Sequence, residues 1–286
     1  MVTHRLRINR HLEALVGERH PESSPRALQK AAHYLTTQFA KSGWTTSGQL
    51  VSAWDKIYRN VVAIKYLDKP GRGGELPPLL IGAHYDTVSG SPGADDNASG
   101  LVVLLEVASR LRARSLARPI WLVAFCLEEQ DRLGSQAFVS RLKAERRELA
   151  GAIILECVGY ARSEAGTQQS PPGVPIAVPT QGDFLAIVGN ETSRSLVRQL
   201  EQEARQHAAK LKTTRPAKLP RIDFADNLTT THIGAAAQRR QSRAVDYLSG
   251  DSSIPRSVFG GLRRRAATAN TSVVRTFASA IASEIM

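Results

Sequence analysis

Three apolar segments of this chain run directly into imidazole or carboxylate side chains. The segments are 78–86, 118–129 and 151–160, and the side chains at their ends are His84, Asp86, Glu128, Glu129 and Glu156. Short apolar runs that alternate with helix-like segments are typical of the buried parallel strands of βαβ units. Because ligands bind outside the carboxyl ends of such strands, the pattern predicts that these side chains meet at one edge of a sheet.

Helix-like segments and loops separate the apolar runs. Apolar residues at helical spacing, ended by Gly43 in the first case, predict helices over 24–42, 99–114, 134–149 and 193–208. Further strands are predicted over 60–67 and 182–190, and turns or loops over 68–77, 93–100 and 161–180. This alternation predicts an α/β fold, in which a central, mostly parallel mixed sheet carries helices on both faces. We expect one domain over residues 1–286.

The side chains at the predicted sheet edge favour a cation site. Asp95 and Asp96 lie in the turn after the first of the three strands and face the same edge. Taken singly, His84 could be a hydrogen-bonded core histidine and Asp95 a helix cap. Together the residues favour metal binding, because charged groups at the ends of buried strands are costly unless they are paired or bound to a metal. Mixed imidazole and carboxylate ligands suit zinc, for which cobalt or manganese can substitute.

The motifs at these strand ends resemble those of a known family. AHYDTVSGSPGADDNASG resembles the His-x-Asp and Gly-Ala-Asp-Asp-Asn-Ala-Ser-Gly motifs of zinc aminopeptidases of the bacterial leucyl aminopeptidase type. That family also includes glutamate carboxypeptidase-like enzymes and glutaminyl cyclases. AFCLEEQDRLGSQAFV resembles its Glu-Glu segment, and ILECVGY resembles the strand with its fourth ligand, which is usually Asp but is Glu in a subgroup. The resemblance covers roughly residues 10–210.

The resemblance implies an activity and a role for each residue. The implied activity is hydrolysis of the N-terminal amide bond of a peptide substrate by two zinc ions. The implied zinc ligands are His84, Asp96, Glu129 and Glu156, with Asp96 bridging both ions. Asp86 would orient the His84 ring, as carboxylates commonly do for metal-bound imidazoles. Glu128 would be the general base that takes a proton from water and passes it to the leaving amine, and Asp95 would be structural.

The C-terminal part of the chain departs from the family pattern. The family's last zinc ligand is a His in a Tyr-His-x-x-x-Asp-Thr-like motif, and no such motif follows His232. The family's Ser-Asp-His-x-x-Phe segment is also missing, and RIDFADN at 221–227 stands in its place. His232 is therefore either a substitute ligand or an ordinary loop histidine. The second zinc is expected to bind weakly or not at all, which leaves a single-zinc glutaminyl cyclase-like transferase and a non-catalytic remnant as alternatives.

The tail over 221–286 is atypical in composition as well as in motifs. Residues 238–286 contain Arg but no Lys and no His. One hypothesis is that the tail, from about residue 221–240 onward, is translated in a shifted reading frame relative to active relatives.

The net charge, the apolar segments and the cysteines indicate which partners and which cellular compartment to expect. The formal net charge is +12, but the basic residues are scattered and form no stripe with interleaved aromatics, so no specific nucleic-acid binding is expected. No segment is apolar over the length that a membrane helix needs, and the N-terminal residues lack the apolar core of a signal peptide. These features predict a cytoplasmic protein with no membrane partner. Cys126 and Cys157 lie in apolar runs and are expected to be reduced core thiols.

Overall fold

The computed structural model describes residues 2–67, 76–167, 180–189, 191–207, 212–214 and 230–234. Within them, eight strands form one sheet in the order β1-β2-β4-β3-β5-β8-β6-β7. The strands are β1 Thr45–Ala53, β2 Lys56–Lys65, β3 Leu79–His84, β4 Ile120–Phe125, β5 Gly151–Glu156, β6 Phe184–Gly189, β7 Lys212–Thr214 and β8 Thr230–Gly234. The predicted strands over 60–67, 78–86, 118–129, 151–160 and 182–190 are present with shorter or shifted ends.

The centre of the sheet is parallel. Strand β3 lies between β4 and β5 and is parallel to both, and β8 extends the parallel group beside β5. Strands β1 and β2 form an antiparallel hairpin that joins β4 in antiparallel register, and β6 is antiparallel to β8. The carboxyl ends of β3, β4 and β5 consequently lie at the same edge of the sheet, where the polar side chains follow the apolar runs.

Helices cover both faces of this sheet. They are α1 Val2–Leu15, α2 Pro25–Lys41, α3 Gly100–Leu111, α4 Leu133–Ala144 and α5 Arg194–His207. The larger apolar cluster packs α1, α2, α3 and α5 against one face, and the smaller cluster packs α4 against the other. Neighbouring residues of β3 belong to different clusters, Leu80 to the smaller and Ile81 to the larger, because successive strand side chains point to opposite faces. The predicted α/β architecture is confirmed.

The boundaries of two helices have local causes. Helix α2 begins at Pro25, whose missing N–H is not needed in a first turn, and it is followed by Gly43 with a φ of +79°. Helix α4 ends at Ala144, before the predicted end at residue 149, because Arg146 adopts a φ of +50° that helical backbone does not allow. The predicted turn over 93–100 is an irregular helical turn, Ala94–Ser99, that leads directly into α3.

The sequence analysis missed α1, β1, β7 and β8. The interpretation of His232 as a loop histidine is wrong, because it lies in β8 at the register position of Ile154 and Val188. RIDFADN, the tail over 235–286 and most of the loop over 161–180 lie outside the described residues. Among the described helices, none combines the length and apolar character needed to cross a membrane. Both cysteines are free, with Cys126 in the core as expected and Cys157 only half-buried.

Candidate metal centre

The ends of β3 and β5 and the turn before α3 bring three predicted ligands together. His84 is the last residue of β3 and is almost completely buried, at 3% exposure. Its Nε2 lies 2.9 Å from Asp96 Oδ1 and 3.3 Å from Glu156 Oε1. One ligand atom from each of these residues lies within 4.8 Å of the others, which is compact enough to hold one metal ion.

A second group of donors shares the same imidazole. His84, Glu128 and Glu129 also offer ligand atoms that all lie within 4.8 Å of one another. Glu128 and Glu129 follow β4, so they reach His84 from the strand beside β3. The structure therefore gathers every predicted ligand around His84, although both groups depend on this one imidazole.

Asp86 joins the two ligand-bearing strands. This residue is completely buried, and its two carboxylate oxygens accept hydrogen bonds from the backbone N–H groups of Glu128 and Glu129, each at 3.0 Å. Asp86 Oδ1 also lies 3.5 Å from His84 Nδ1. The predicted orientation of His84 by Asp86 fits this geometry, and the bonds to the Glu128–Glu129 backbone are an additional function that the sequence did not indicate.

Asp95 makes the contacts of a structural residue, as the resemblance implied. Its Oδ1 accepts a hydrogen bond from the Gly159 N–H at 2.7 Å, and its backbone carbonyl accepts one from the Ser99 hydroxyl at 2.7 Å. The Ser99 oxygen in turn accepts the Val158 N–H at 3.1 Å. These bonds tie the turn before α3 to the chain just beyond β5, so the turn is held where Asp96 can reach His84.

Asn97 orients Glu156, and the sequence analysis did not single it out. Its amide nitrogen donates to the Leu155 carbonyl at 2.8 Å and to Glu156 Oε2 at 3.2 Å, while its oxygen accepts the Gly100 N–H at 3.1 Å. The residue is fully buried, and the peptide bond that joins Asp96 to Asn97 is cis. Asn97 belongs to the quoted GADDNASG motif, which was the available signal for it.

A second buried asparagine supports the Glu128–Glu129 side. Asn60 on β2 donates to Gln49 Oε1 at 2.9 Å and to the Gly134 carbonyl at 2.8 Å, and its oxygen accepts the Cys126 N–H at 3.0 Å. It therefore connects the hairpin β1–β2 to both ends of the segment between β4 and α4. No pattern in a single sequence distinguishes this residue from any other strand asparagine.

The crowding of carboxylates raises the pKa of several of them. Burial, and to a smaller extent the charge of Asp96, raise the pKa of Asp95 to about 7, against a hydrogen bond from Gly159 that lowers it. Burial followed by the charge of Asp96 raises the pKa of Glu129 to about 8. The pKa of Glu128 is also raised, mainly by burial. Negative charge at this edge is thus costly in the absence of a cation.

The pKa of the His84 imidazole is also raised, which favours its positively charged form. Burial alone lowers the pKa of His84, but the charge of Glu156, the hydrogen bond to it and the nearby carboxylates of Asp86 and Asp96 outweigh burial and raise the pKa well above its usual range. A positive charge is therefore favoured at this position, and a divalent metal ion would supply it more effectively than a proton. The donor set, one imidazole nitrogen with carboxylate oxygens, fits zinc.

Comparison with known proteins places the chain in a family. The sequence profile of peptidase family M28 matches residues 60–224. Protein YfbL of Escherichia coli K12, which is uncharacterised, is 34% identical over 227 residues, or 73% of this chain and 68% of YfbL. A probable zinc metalloprotease of Pyrenophora teres is 30% identical over 177 residues, which cover 54% of this chain and 38% of the fungal protein. The chain thus spans less than half the length of that relative.

Solved structures of low sequence identity share the fold. The LapA aminopeptidase of Legionella pneumophila superposes with a TM-score of 0.63 at 18% identity, covering 100% of this chain and 73% of LapA. The glutaminyl cyclase of Fimbriiglobus ruber superposes with a TM-score of 0.67 at 15% identity, covering 98% of this chain and 94% of the cyclase. The fold is thus shared with these structures, and the profile match over more than half of the residues establishes that the chain belongs to peptidase family M28.

Proposed function

We propose that this chain is a zinc-dependent aminopeptidase that hydrolyses the N-terminal peptide bond of its substrates. The observation that carries the proposal is the meeting of His84, Asp96 and Glu156 within 4.8 Å at the carboxyl edge of the sheet, beside Glu128. Its membership of a peptidase family and its likeness in fold to an aminopeptidase support this assignment.

The three residues of this compact group would hold the zinc ion. When bound, zinc lowers the pKa of a water ligand and polarises the carbonyl of the scissile bond. The carboxylates of Asp96 and Glu156 are about one-third exposed, whereas His84 is buried, so the site is closed on the sheet side and open to substrate on the other. An open coordination position is the property that separates catalytic from structural zinc sites.

Glu128 is the proposed general base. Its backbone is fixed by Asp86, and its carboxylate has a ligand atom within 4.8 Å of His84, so it lies next to the proposed ion. Burial raises the pKa of Glu128 above its usual range, towards the value at which a carboxylate exchanges protons readily near neutral pH. The residue would remove a proton from the attacking water and return it to the leaving nitrogen.

The excess of carboxylates suits a substrate with a free amino terminus. A peptide's α-amino group carries a positive charge at neutral pH. Glu129 adds a carboxylate beside the ligand group, and its raised pKa means that a cation next to it favours its charged form, so a free ammonium would be attracted while a blocked terminus would not. This complementarity favours an exopeptidase over an endopeptidase.

We propose one firmly bound zinc ion and a weaker second one. Both donor groups depend on His84, so the described residues supply a complete set of three donors for one ion at a time. Glu129 is the proposed ligand of the second ion, which Asp96 would bridge. His232 lies on β8 at the register position of Ile154, two positions before the level of Glu156.

Zinc content and product analysis together test the proposal. The purified chain is loaded with zinc, dialysed, assayed for metal, and incubated with a panel of aminoacyl-arylamides and their N-acetylated counterparts. We expect about one retained ion per chain and release of arylamine from the free substrates only. Absence of release across the panel at saturating zinc would refute the peptidase assignment.

A glutaminyl cyclase-like transferase is the second candidate, because the shared imidazole favours a single zinc and the cyclase fold is the same. A peptide that begins with glutamine separates the two activities. Hydrolysis releases free glutamine and a shortened peptide, whereas the transferase releases ammonia and leaves a cyclised terminus. A remnant that only binds peptides would give neither product and would hold zinc weakly.

A further inference from the structure

Arg19 is a buried guanidinium whose hydrogen bonds reach several separate segments. It is 2% exposed, and its side chain donates to the carbonyls of Tyr85 at 2.7 Å, Gly93 at 3.1 Å, Gly17 at 2.7 Å and Leu15. All these acceptors are main-chain carbonyls. Its own backbone N–H donates to Thr87 Oγ1 at 2.9 Å.

Two of these acceptors lie within the two segments that carry proposed ligands. Tyr85 stands between His84 and Asp86, while Gly93 opens the turn that carries Asp96. The single side chain of Arg19 therefore forms hydrogen bonds with both the end of β3 and the turn before α3. The carbonyls of Leu15 and Gly17 fix this side chain in turn to the end of α1.

The contact between Arg19 and the turn is close. Gly93 has a φ of +55°, and a Cβ added there would lie 2.6 Å from Arg19 Nη2 and would also overlap Thr87. Glycine is thus required both by the backbone conformation and by the guanidinium beside it. The charges of Asp86 and Asp96 act favourably on Arg19 and partly offset the burial that lowers its pKa to about 10.

We propose that Arg19 is a positioning residue of the metal centre, which keeps the His84 and Asp96 segments at the separation needed to share one zinc ion. Only a guanidinium offers donors in a rigid fork that can reach carbonyls on both segments at once. Without it, the Tyr85 carbonyl loses this donor and the Gly93 carbonyl keeps the Ala98 N–H but no longer bonds to the β3 side, so the segments can move apart. The inference rests on the proposed function in assigning His84 and Asp96 to zinc.

A merely structural role, in which Arg19 only attaches α1 to the sheet, makes a different prediction. Arg7 provides the matched control, since it lies on α1 and attaches this helix through a two-point pair with Glu106 of α3, at 2.6 and 2.7 Å. The variant Arg7→Met loosens α1 without touching the ligand segments. If Arg19 acts only on stability, Arg19→Met and Arg7→Met will affect zinc binding alike.

The experiment measures zinc affinity by competition with a chromophoric chelator, thermal unfolding with and without zinc, and the absorption spectrum of the cobalt-substituted protein. We expect Arg19→Met to bind zinc about 10–100-fold more weakly, as loss of outer contacts to a metal site typically does. Its cobalt spectrum should change. Arg7→Met should unfold at a lower temperature, with zinc affinity within about twofold of the unaltered chain and an unchanged cobalt spectrum.

The variant Arg19→Lys decides the question if Arg19→Met does not fold. Lysine keeps the charge but loses the fork, so weakened zinc binding with the charge retained supports positioning. Unaltered zinc affinity and cobalt spectrum in whichever Arg19 variant folds would overturn the inference. These measurements do not depend on catalysis. If the chain binds zinc but releases no amino acid, the proposed function is refuted while the test of Arg19 remains valid.

Discussion

Two clusters of buried and half-buried titratable side chains stand out among the described residues, and they differ in charge balance. The helix cluster lies between α1, α2 and α3 and consists of Arg7, His11, Tyr34 and Glu106. Arg7 meets both oxygens of Glu106, and His11 Nδ1 lies 2.7 Å from the Tyr34 hydroxyl. The acid cluster at the sheet edge consists of Asp86, Asp95, Asp96, Glu128, Glu129 and Glu156, with His84 and Arg19 as its cations.

The pKa shifts record this difference. In the helix cluster, hydrogen bonding to Glu106 raises the pKa of Arg7, and burial lowers the pKa of His11 to about 4, so one ion pair remains beside a neutral imidazole. In the acid cluster the pKa values of Glu128 and Glu129 are raised, mainly by burial. A cluster with balanced charges stabilises the fold by itself. A cluster with excess negative charge stabilises the fold only when a cation binds to it.

Removal of the proposed base should have the largest effect. Glu128→Gln is nearly isosteric and is expected to lower the rate of arylamide hydrolysis by about 10²–10⁴-fold, because a general base contributes about that much. Zinc content should be unchanged, since Glu128 is not in the His84–Asp96–Glu156 group. The control for kinetics is Glu148→Gln, which changes an exposed glutamate in the loop between α4 and β5. Near-normal turnover of Glu128→Gln would remove Glu128 from the mechanism.

Removal of single ligands should distinguish the residues of the acid cluster that hold the firmly bound zinc ion from those that do not. His84→Ala and Asp96→Ala are expected to lose zinc on dialysis, because each removes a member of the compact group. Glu129→Ala should still keep about one ion per chain, as the unaltered chain does, because Glu129 lies outside the compact group. Metal analysis of the dialysed proteins measures this. Equal zinc in the unaltered chain and in Asp96→Ala would show that Asp96 is not a ligand.

The two clusters were not equally visible in the sequence. The acid cluster was predictable because its members follow apolar runs, and parallel strands carry the ends of such runs to one edge. The helix cluster was not, since the buried Ile8 and Leu15 of α1 lie among basic residues and the helix is stabilised mainly by packing. Arg19 and Asn60 bind largely main-chain groups, which leave no residue pattern in a single chain. Strand β8, TTHIG, is too short and too polar to be recognised as a central strand.

Loss of the Asn97 side chain should affect zinc affinity and stability together. Asn97→Ala frees Glu156 Oε2 and leaves the buried Leu155 carbonyl without this donor. We expect about 10–100-fold weaker zinc binding, and about 1–3 kcal/mol less stability for the apo-protein. Chelator competition and urea unfolding measure the two effects. An affinity equal to that of the unaltered chain would mean that Glu156 keeps its orientation without Asn97.

The smallest effect is a pH dependence that belongs to the helix cluster alone. Because His11 has a pKa of about 4 in the folded protein and 6.5 ordinarily, the unfolded chain binds more protons between these values. The contribution of the neutral imidazole is therefore complete above about pH 6.5 and is lost as the pH falls towards 4. The loss is on the order of 2 kcal/mol over that range. Urea unfolding of the zinc-free protein at several pH values measures it without interference from metal binding.

His11→Gln provides the comparison, because glutamine does not titrate and can still bond to the Tyr34 hydroxyl. The unaltered chain should lose more stability than His11→Gln between pH 6.5 and 4, and the difference should level off below pH 4. Both proteins share the acid cluster, so its titration cancels in the difference. Equal pH dependence in the two proteins would mean that folding does not lower the pKa of His11, so that His11 gains its proton in the folded protein as it does in the unfolded chain and the helix cluster becomes positively charged at low pH.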